Sequence, residues 1–112
     1  MNRRLLFIIN PNAGKGAIQT STLGCINTFV QSGFDVSVYT TQKAQDATSV
    51  ISRRAKDFDR IVCAGGDGTL NEVVARLLQS GHKKPLGYIP AGTLNDFSWS
   101  RGIPKNSLKA AQ

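Results

Sequence analysis

Four short apolar runs, each followed by residues of helical periodicity, constrain this chain more than any other feature. Arg4 to Ile9, Asp35 to Thr40, Arg60 to Ala64 and Leu86 to Ile89 are of strand length and rich in β-branched and aliphatic residues. Between them, apolar or small residues return every three or four positions. The first stripe is Ile18, Thr22, Cys25, Ile26, Phe29 and Val30; the second is Ala44, Ala47, Val50, Ile51 and Ala55; the third is Leu70, Val73, Val74, Leu77 and Leu78. Each stripe predicts an amphipathic helix with one face turned to a core. Gly33 and Gly81 stand where the first and third helices should end in a left-handed residue. From Trp99 onward the chain reads as a loop, with a further helix starting at Lys105.

Strand and helix alternating over short connections, with right-handed crossovers, predict an α/β fold: a three-layer parallel sheet with helices on both faces. The 112 residues make one domain, uninterrupted by a linker or repeat. The apolar run Leu5 to Ile9 is too short for a secretory signal and is stopped by Asn10-Pro11. Cys25 and Cys63 lack metal-ligand spacing and His82 is the only histidine, which argues against a zinc site. Both thiols are expected as small buried hydrophobes in a reducing cytosol.

In a parallel sheet, ligands bind beyond the carboxyl ends of the strands. Three of the four strands end in a special loop: "NPNAGKG" after the first, "GGDGT" after the third and "PAGTLND" after the fourth. All three should share one edge, and together they predict a site. No Walker A loop is present, since Gly16 follows Lys15 where Ser or Thr is required, and no G-x-G-x-x-G follows the first strand. In "GGDGT", Gly65, Gly66 and Gly68 allow positive φ and expose backbone N–H groups as an anion nest, with Thr69 opening the third helix. The carboxylate of Asp67 in such a nest has three readings: it meets the anion through Mg²⁺, it takes a proton from an attacking hydroxyl, or it caps the helix.

Charge agrees with an anionic ligand. Lys and Arg number 14 against 7 acids, for a net charge of +7 and a pI near 9.9. That excess favours nucleotides or an acidic membrane surface. Apart from Arg3-Arg4, Arg53-Arg54 and Lys83-Lys84 the basic residues are scattered, without the aromatic interleaving that binds single strands, so no nucleic-acid partner is expected.

"GGDGTLNEVV" with "IPAGTLNDF", supported by "FIINPNAG" and "TQKAQDAT", resembles the catalytic domain of the diacylglycerol kinase and sphingosine kinase superfamily, most like its soluble bacterial lipid kinases. The resemblance runs from Phe7 to Pro104. It implies a Rossmann-like fold of the NAD kinase and diacylglycerol kinase type, and phosphoryl transfer from ATP to a lipid hydroxyl such as that of diacylglycerol. It further implies nucleotide contacts from Asn10, Pro11, Asn12, Ala13 and Gly14, from Thr41, from Gly65, Gly66, Asp67, Gly68, Thr69, Leu70 and Asn71, and from Thr93. Mg²⁺ would be linked to Asp67 and, through water, to Asp96. Glu72 reads either as a polar helix surface or as a hydroxyl or metal contact.

The chain also departs from the family pattern. Ala13 replaces a serine, Gln45 replaces the glycine of a Gly-Asp-Ala segment, and Ser98-Trp99-Ser100-Arg101-Gly102 follows Phe97. The family's kinases carry a second, β-rich domain, which 1–112 does not include. The chain is therefore expected to be the nucleotide-binding half of an ATP-dependent lipid kinase, cytoplasmic and peripheral at the inner membrane face. The sheet edge left open offers a surface for homo-oligomers. The alternative is a non-catalytic nucleotide- or phosphate-binding module or an inactive fragment. A kinase for soluble substrates fits "GGDGT" but leaves "PAGTLNDF" unexplained.

Overall fold

The structure, a computed structural model, describes residues 3–11, 17–81 and 84–90, without the side chains of 17–21, 67 and 90. Strand β1 (Arg3–Ile9) leads to helix α1 (Ala17–Gln31), β2 (Phe34–Thr40) to α2 (Asp46–Arg54), and β3 (Arg60–Gly65) to α3 (Asp67–Ser80), before β4 (Leu86–Pro90). A 3₁₀ turn, Ala55–Asp57, extends α2. All pairings are parallel, and the strand order is β2-β1-β3-β4. The α/β expectation holds. The order reverses direction between β1 and β3, so a crevice opens at their carboxyl ends where successive connections leave for opposite faces.

The pleat of β1 shows why the sheet needs two covers. Leu6 and Ile8 face one layer and Leu5, Phe7 and Ile9 the other, all fully buried or nearly so. On the first face α2 and α3 bury Val50, Ile51, Leu70, Val73 and Leu77 against Ile61 and Cys63. On the second, α1 lays Cys25 and Phe29 over Phe7, Val62 and Ile89, and Phe7 and Phe29 meet edge to face at 5.8 Å between ring centroids. Burial removes both thiols from chemistry. It pushes Cys25 above its usual range and Cys63 up to about 12, so neither is a thiolate at neutral pH.

Some residues of the predicted stripes turn out to face solvent. Val30 is 52% exposed and Leu78 is 62% exposed, each at the outer margin of its helix. Ala44 precedes α2 and is exposed. Gly33 (φ 96°) and Gly81 (φ 77°) end their helices in left-handed backbone as expected. The glycines of "GGDGT" do not share that property: among the described residues no other glycine has positive φ, and Gly66 is extended at φ −90°, ψ −175°. Helix α3 begins at Asp67 with Gly66 as its N-cap, so it starts two residues before Thr69, and Asp67 does not occupy the capping position.

The left-handed backbone appears instead at Gln45, φ 70°, immediately before α2. A side chain in that region costs about 1–2 kcal/mol, whereas glycine adopts it freely but loses about 0.5–1 kcal/mol more entropy on folding. Gln45→Gly is accordingly expected to stabilise the domain by about 0.5–1 kcal/mol. Urea unfolding would read this as a higher midpoint, with Gln45→Ala giving no such gain.

The amino edge of the sheet is closed by cation–π lids. Arg4 and Arg54 lie over the Phe58 ring at 4.8 and 5.4 Å, and Arg3 and Arg60 over Phe34 at 5.6 and 5.7 Å. Each ring seals the lower end of one core, and the guanidiniums carry that seal into solvent. Arg4 N–H also donates to Asp59 Oδ2 at 2.8 Å, and Asp59 N–H to the Arg4 carbonyl, also at 2.8 Å. The ligand edge lies at the opposite end.

Candidate functional site

Three loops are drawn together at the carboxyl edge by backbone hydrogen bonds that run past the strand ends. The Asn10 amide donates to the Ala64 carbonyl at 2.9 Å, and the Thr41 amide to the Ile9 carbonyl at 2.8 Å. The tips of β1, β2 and β3 therefore meet as one surface. Tyr88, on β4, donates its hydroxyl to the Gly65 carbonyl at 2.8 Å and holds the end of β3 in place.

Gly65 is required by space rather than by φ. A Cβ there would stand 3.0 Å from Thr69 Oγ1 and 3.2 Å from both Thr69 Cβ and Asn10 Cβ. Without that carbon, the side chain of Thr69 folds back over the strand end beside Asn10, and Thr69 is buried. Around Gly66 and Gly68 a Cβ would meet nothing within 4 Å. Both are exposed, and they leave the first turn of α3 open to approach.

The loop between β2 and α2 forms the facing wall. Asp46, buried at the first residue of α2, turns its carboxylate backward: Oδ2 accepts from the Gln42 amide at 2.6 Å and from the Lys43 amide at 3.2 Å. This folds Thr41, Gln42 and Lys43 into a tight turn, which Gln42 Nε2 extends by donating to the Thr40 carbonyl at 3.1 Å. Between this turn and α3 lies a cavity of about 330 Å³, lined by Thr41, Gln42, Lys43, Ala44 and Ala47 on one wall, by Gly68, Thr69 and Glu72 on the other, and by Asn10. Its size is that of a small-molecule site.

The chemistry of the cavity changes along α3. At the helix start, the N-terminus of the fourteen-residue α3 brings its partial positive charge and free N–H groups, with the Thr69 hydroxyl and Asn10 beside them. That end suits an anion such as phosphate. Glu72, with its half-buried carboxylate, stands about one turn further along α3 than Thr69, and Lys43, Ala44 and Ala47 complete the lining. Thr48 Oγ1 approaches Glu72 Oε1 at 3.4 Å, linking α2 to α3 behind the cavity.

The candidate residues from the sequence fall into three sets. Asn10, Thr41, Gly68 and Thr69 line the cavity, while Pro11, Gly65, Gly66 and the exposed Asn71 are not part of its lining. Leu70 is fully buried in the core, and its N–H donates to the Gly66 carbonyl at 3.3 Å, inside the helix's own first turn. Asn12, Ala13, Gly14, Thr93 and Asp96 lie outside the described residues, and Asp67 is described by its backbone alone. Among the described residues no three of His, Cys, Asp and Glu gather as a metal site.

Gln42, Lys43, Ala44 and Ala47 were not anticipated as lining, because the loop after β2 carries no glycine signature. Its signal was Asp46, an acid five residues beyond Thr41 at a helix start. Glu72 had a signal too: it follows Thr69 by three residues, and so shares its helix face.

The model of the diacylglycerol kinase catalytic domain matches residues 4–112. This chain belongs to that family. It is 40% identical over 112 residues to a diacylglycerol kinase of Staphylococcus carnosus (strain TM300), covering 98% of this chain and 36% of that protein. It is likewise 40% identical over 111 residues to a diacylglycerol kinase of Bacillus subtilis (strain 168), covering 97% of this chain and 37% of the other. A crystal structure of a diacylglycerol kinase from Bacillus anthracis str. Sterne superposes with a TM-score of 0.72 at 33% identity, over 84% of this chain and 33% of that one. The chain thus spans a little over a third of the length of the curated relatives it matches. Among its described residues no helix is long and apolar enough to cross a membrane.

Proposed function

We propose that this chain is the nucleotide-binding part of an ATP-dependent lipid kinase that phosphorylates a hydroxyl such as that of diacylglycerol. The observation that carries the reading is the convergence of Asn10, Thr41 and Thr69 on one cavity at the N-terminus of α3. Membership in the diacylglycerol kinase catalytic domain family supports it independently.

In this reading the helix N-terminus and the Thr69 hydroxyl hold the nucleotide's phosphates, and Asn10 and Thr41 fix its orientation. Phosphoryl transfer asks mainly for such positioning and for charge stabilisation. Mg²⁺ retains several waters and takes only one or two carboxylates beside substrate phosphates, so it needs no protein cage. Asp67, whose backbone opens α3 at the phosphate end, suits that donor set. It would hold the ion, with Asp96 joining through water, and the ion would supply charge neutralisation on the phosphates. The lipid site and the rest of the cleft belong to a second, β-rich domain. The basic surface favours peripheral contact with an anionic leaflet.

Calorimetric titration of the chain with ATP, with and without Mg²⁺, tests this proposal. Mg²⁺ should tighten binding about tenfold, a difference of about 1.4 kcal/mol, and Asp67→Ala should abolish the gain. Binding indifferent to both would move Asp67 from metal ligand to proton acceptor. An absence of ATP binding would overturn the reading. Fusing the chain to a relative's second domain should yield lipid phosphorylation, whereas a non-catalytic binding module would remain inactive.

A further inference from the structure

Resting on the nucleotide reading above, we propose that Glu72 is the residue that selects the base, by accepting a hydrogen bond from the exocyclic amino group of adenine. The polarity of the cavity sets the direction in which a nucleotide lies. Phosphates belong at the first turn of α3, where the helix is positive. Glu72 is five residues further along, about 7.5 Å down the helix axis. An anionic phosphate would be repelled by its carboxylate, so the uncharged end of the nucleotide faces it.

The surroundings of Glu72 fit a flat base better than a ribose. Ala44 and Ala47 line the cavity with Glu72 and offer methyl groups to a ring face, while Thr41, Asn10, Thr69 and Lys43 supply polar groups for the rest of the nucleotide. A carboxylate accepts hydrogen bonds and donates none, so it matches a base edge bearing N–H. Thr48 Oγ1 already approaches Glu72 Oε1. The carboxylate keeps acceptor sites for a base edge bearing N–H, such as the 6-amino group of adenine. Thr48 is a positioning residue: its contact orients the carboxylate across the slot.

The test compares nucleotides on the full chain, each with Mg²⁺, by calorimetry. ATP should bind about tenfold more tightly than purine riboside triphosphate, which carries hydrogen in place of the 6-amino group. 2′-Deoxy-ATP should bind like ATP. Glu72→Ala should lower ATP affinity to that of the purine riboside compound, and Glu72→Gln, which keeps an acceptor oxygen, should retain part of the preference. Equal binding of ATP and the purine riboside compound by the unaltered chain overturns the assignment while leaving the nucleotide site standing. A loss confined to 2′-deoxy-ATP moves Glu72 to the ribose, and tighter binding of GTP than ATP also rejects the adenine assignment. If none of the nucleotides binds, the nucleotide reading itself falls.

Discussion

Asp46→Ala is expected to cost about 2–4 kcal/mol of stability and to weaken nucleotide binding at the same time. One buried carboxylate oxygen accepts two backbone amides, from Gln42 at 2.6 Å and Lys43 at 3.2 Å. Hydrogen bonds to a charged group contribute about 1.5–3 kcal/mol each, and part of the loss is recovered because Gln42 and Lys43 are exposed enough for water to reach them. The melting temperature should fall by ~10 °C or more. The effect on binding arises because the same two amides fold the loop that walls the cavity. Asp46→Asn keeps an acceptor oxygen and should recover much of the stability. A loss below about 1 kcal/mol for the alanine variant would show that the turn holds its shape without the carboxylate.

Gly65→Ala is the second large effect. The added carbon would stand 3.0 Å from Thr69 Oγ1 and 3.2 Å from two further carbons, with Thr69 itself buried against the strand end. Neither neighbour is the free end of a long side chain, so backbone or rotamer must yield, at about 1–3 kcal/mol. Since those neighbours are Thr69 and Asn10, the cavity floor moves with them, and ATP affinity should fall alongside the melting temperature. Thr69→Ala removes the nearest atom and should return part of the stability lost in Gly65→Ala, which a double-mutant cycle would measure. Gly66→Ala supplies the control: nothing lies within 4 Å of its added carbon, so its cost should stay under about 1 kcal/mol. Equal losses at both positions would place the requirement on backbone freedom rather than on space.

These two positions also show what the sequence could convey. The four strands and three helices were legible because β-branched runs and helical stripes directly report which face is buried. Leu5 to Ile9, Val50 with Ile51, and Leu70 with Val73 were all placed correctly inside. Val30 and Leu78 were not, since a stripe defines a helical face only to within a residue or so at its margin. The role of each glycine was not legible for a physical reason: glycine permits both positive φ and close approach, and composition alone does not separate the two. Gly65 uses the second. The site was legible where it depended on recognisable loops, as at Asn10 and Thr69. It was obscure where it depended on side chains reaching back along the chain, as Asp46 does, or across between helices, as Thr48 and Glu72 do.

The position of β1 in the strand order has a consequence for how the molecule comes into being. β1 is made first, yet it pairs with β3, and the contacts that fasten its amino end join Arg4 to Asp59 across 55 residues. Until β3 has been synthesised, the apolar segment Leu5 to Ile9 has one flank unpaired and lacks the α3 layer that later covers Leu6 and Ile8. Such non-local closure slows folding and leaves sticky chain exposed in the meantime. Newly made chains are therefore most vulnerable to aggregation during the interval before β3 arrives, and a chaperone acting in that interval would find its target in the first ten residues.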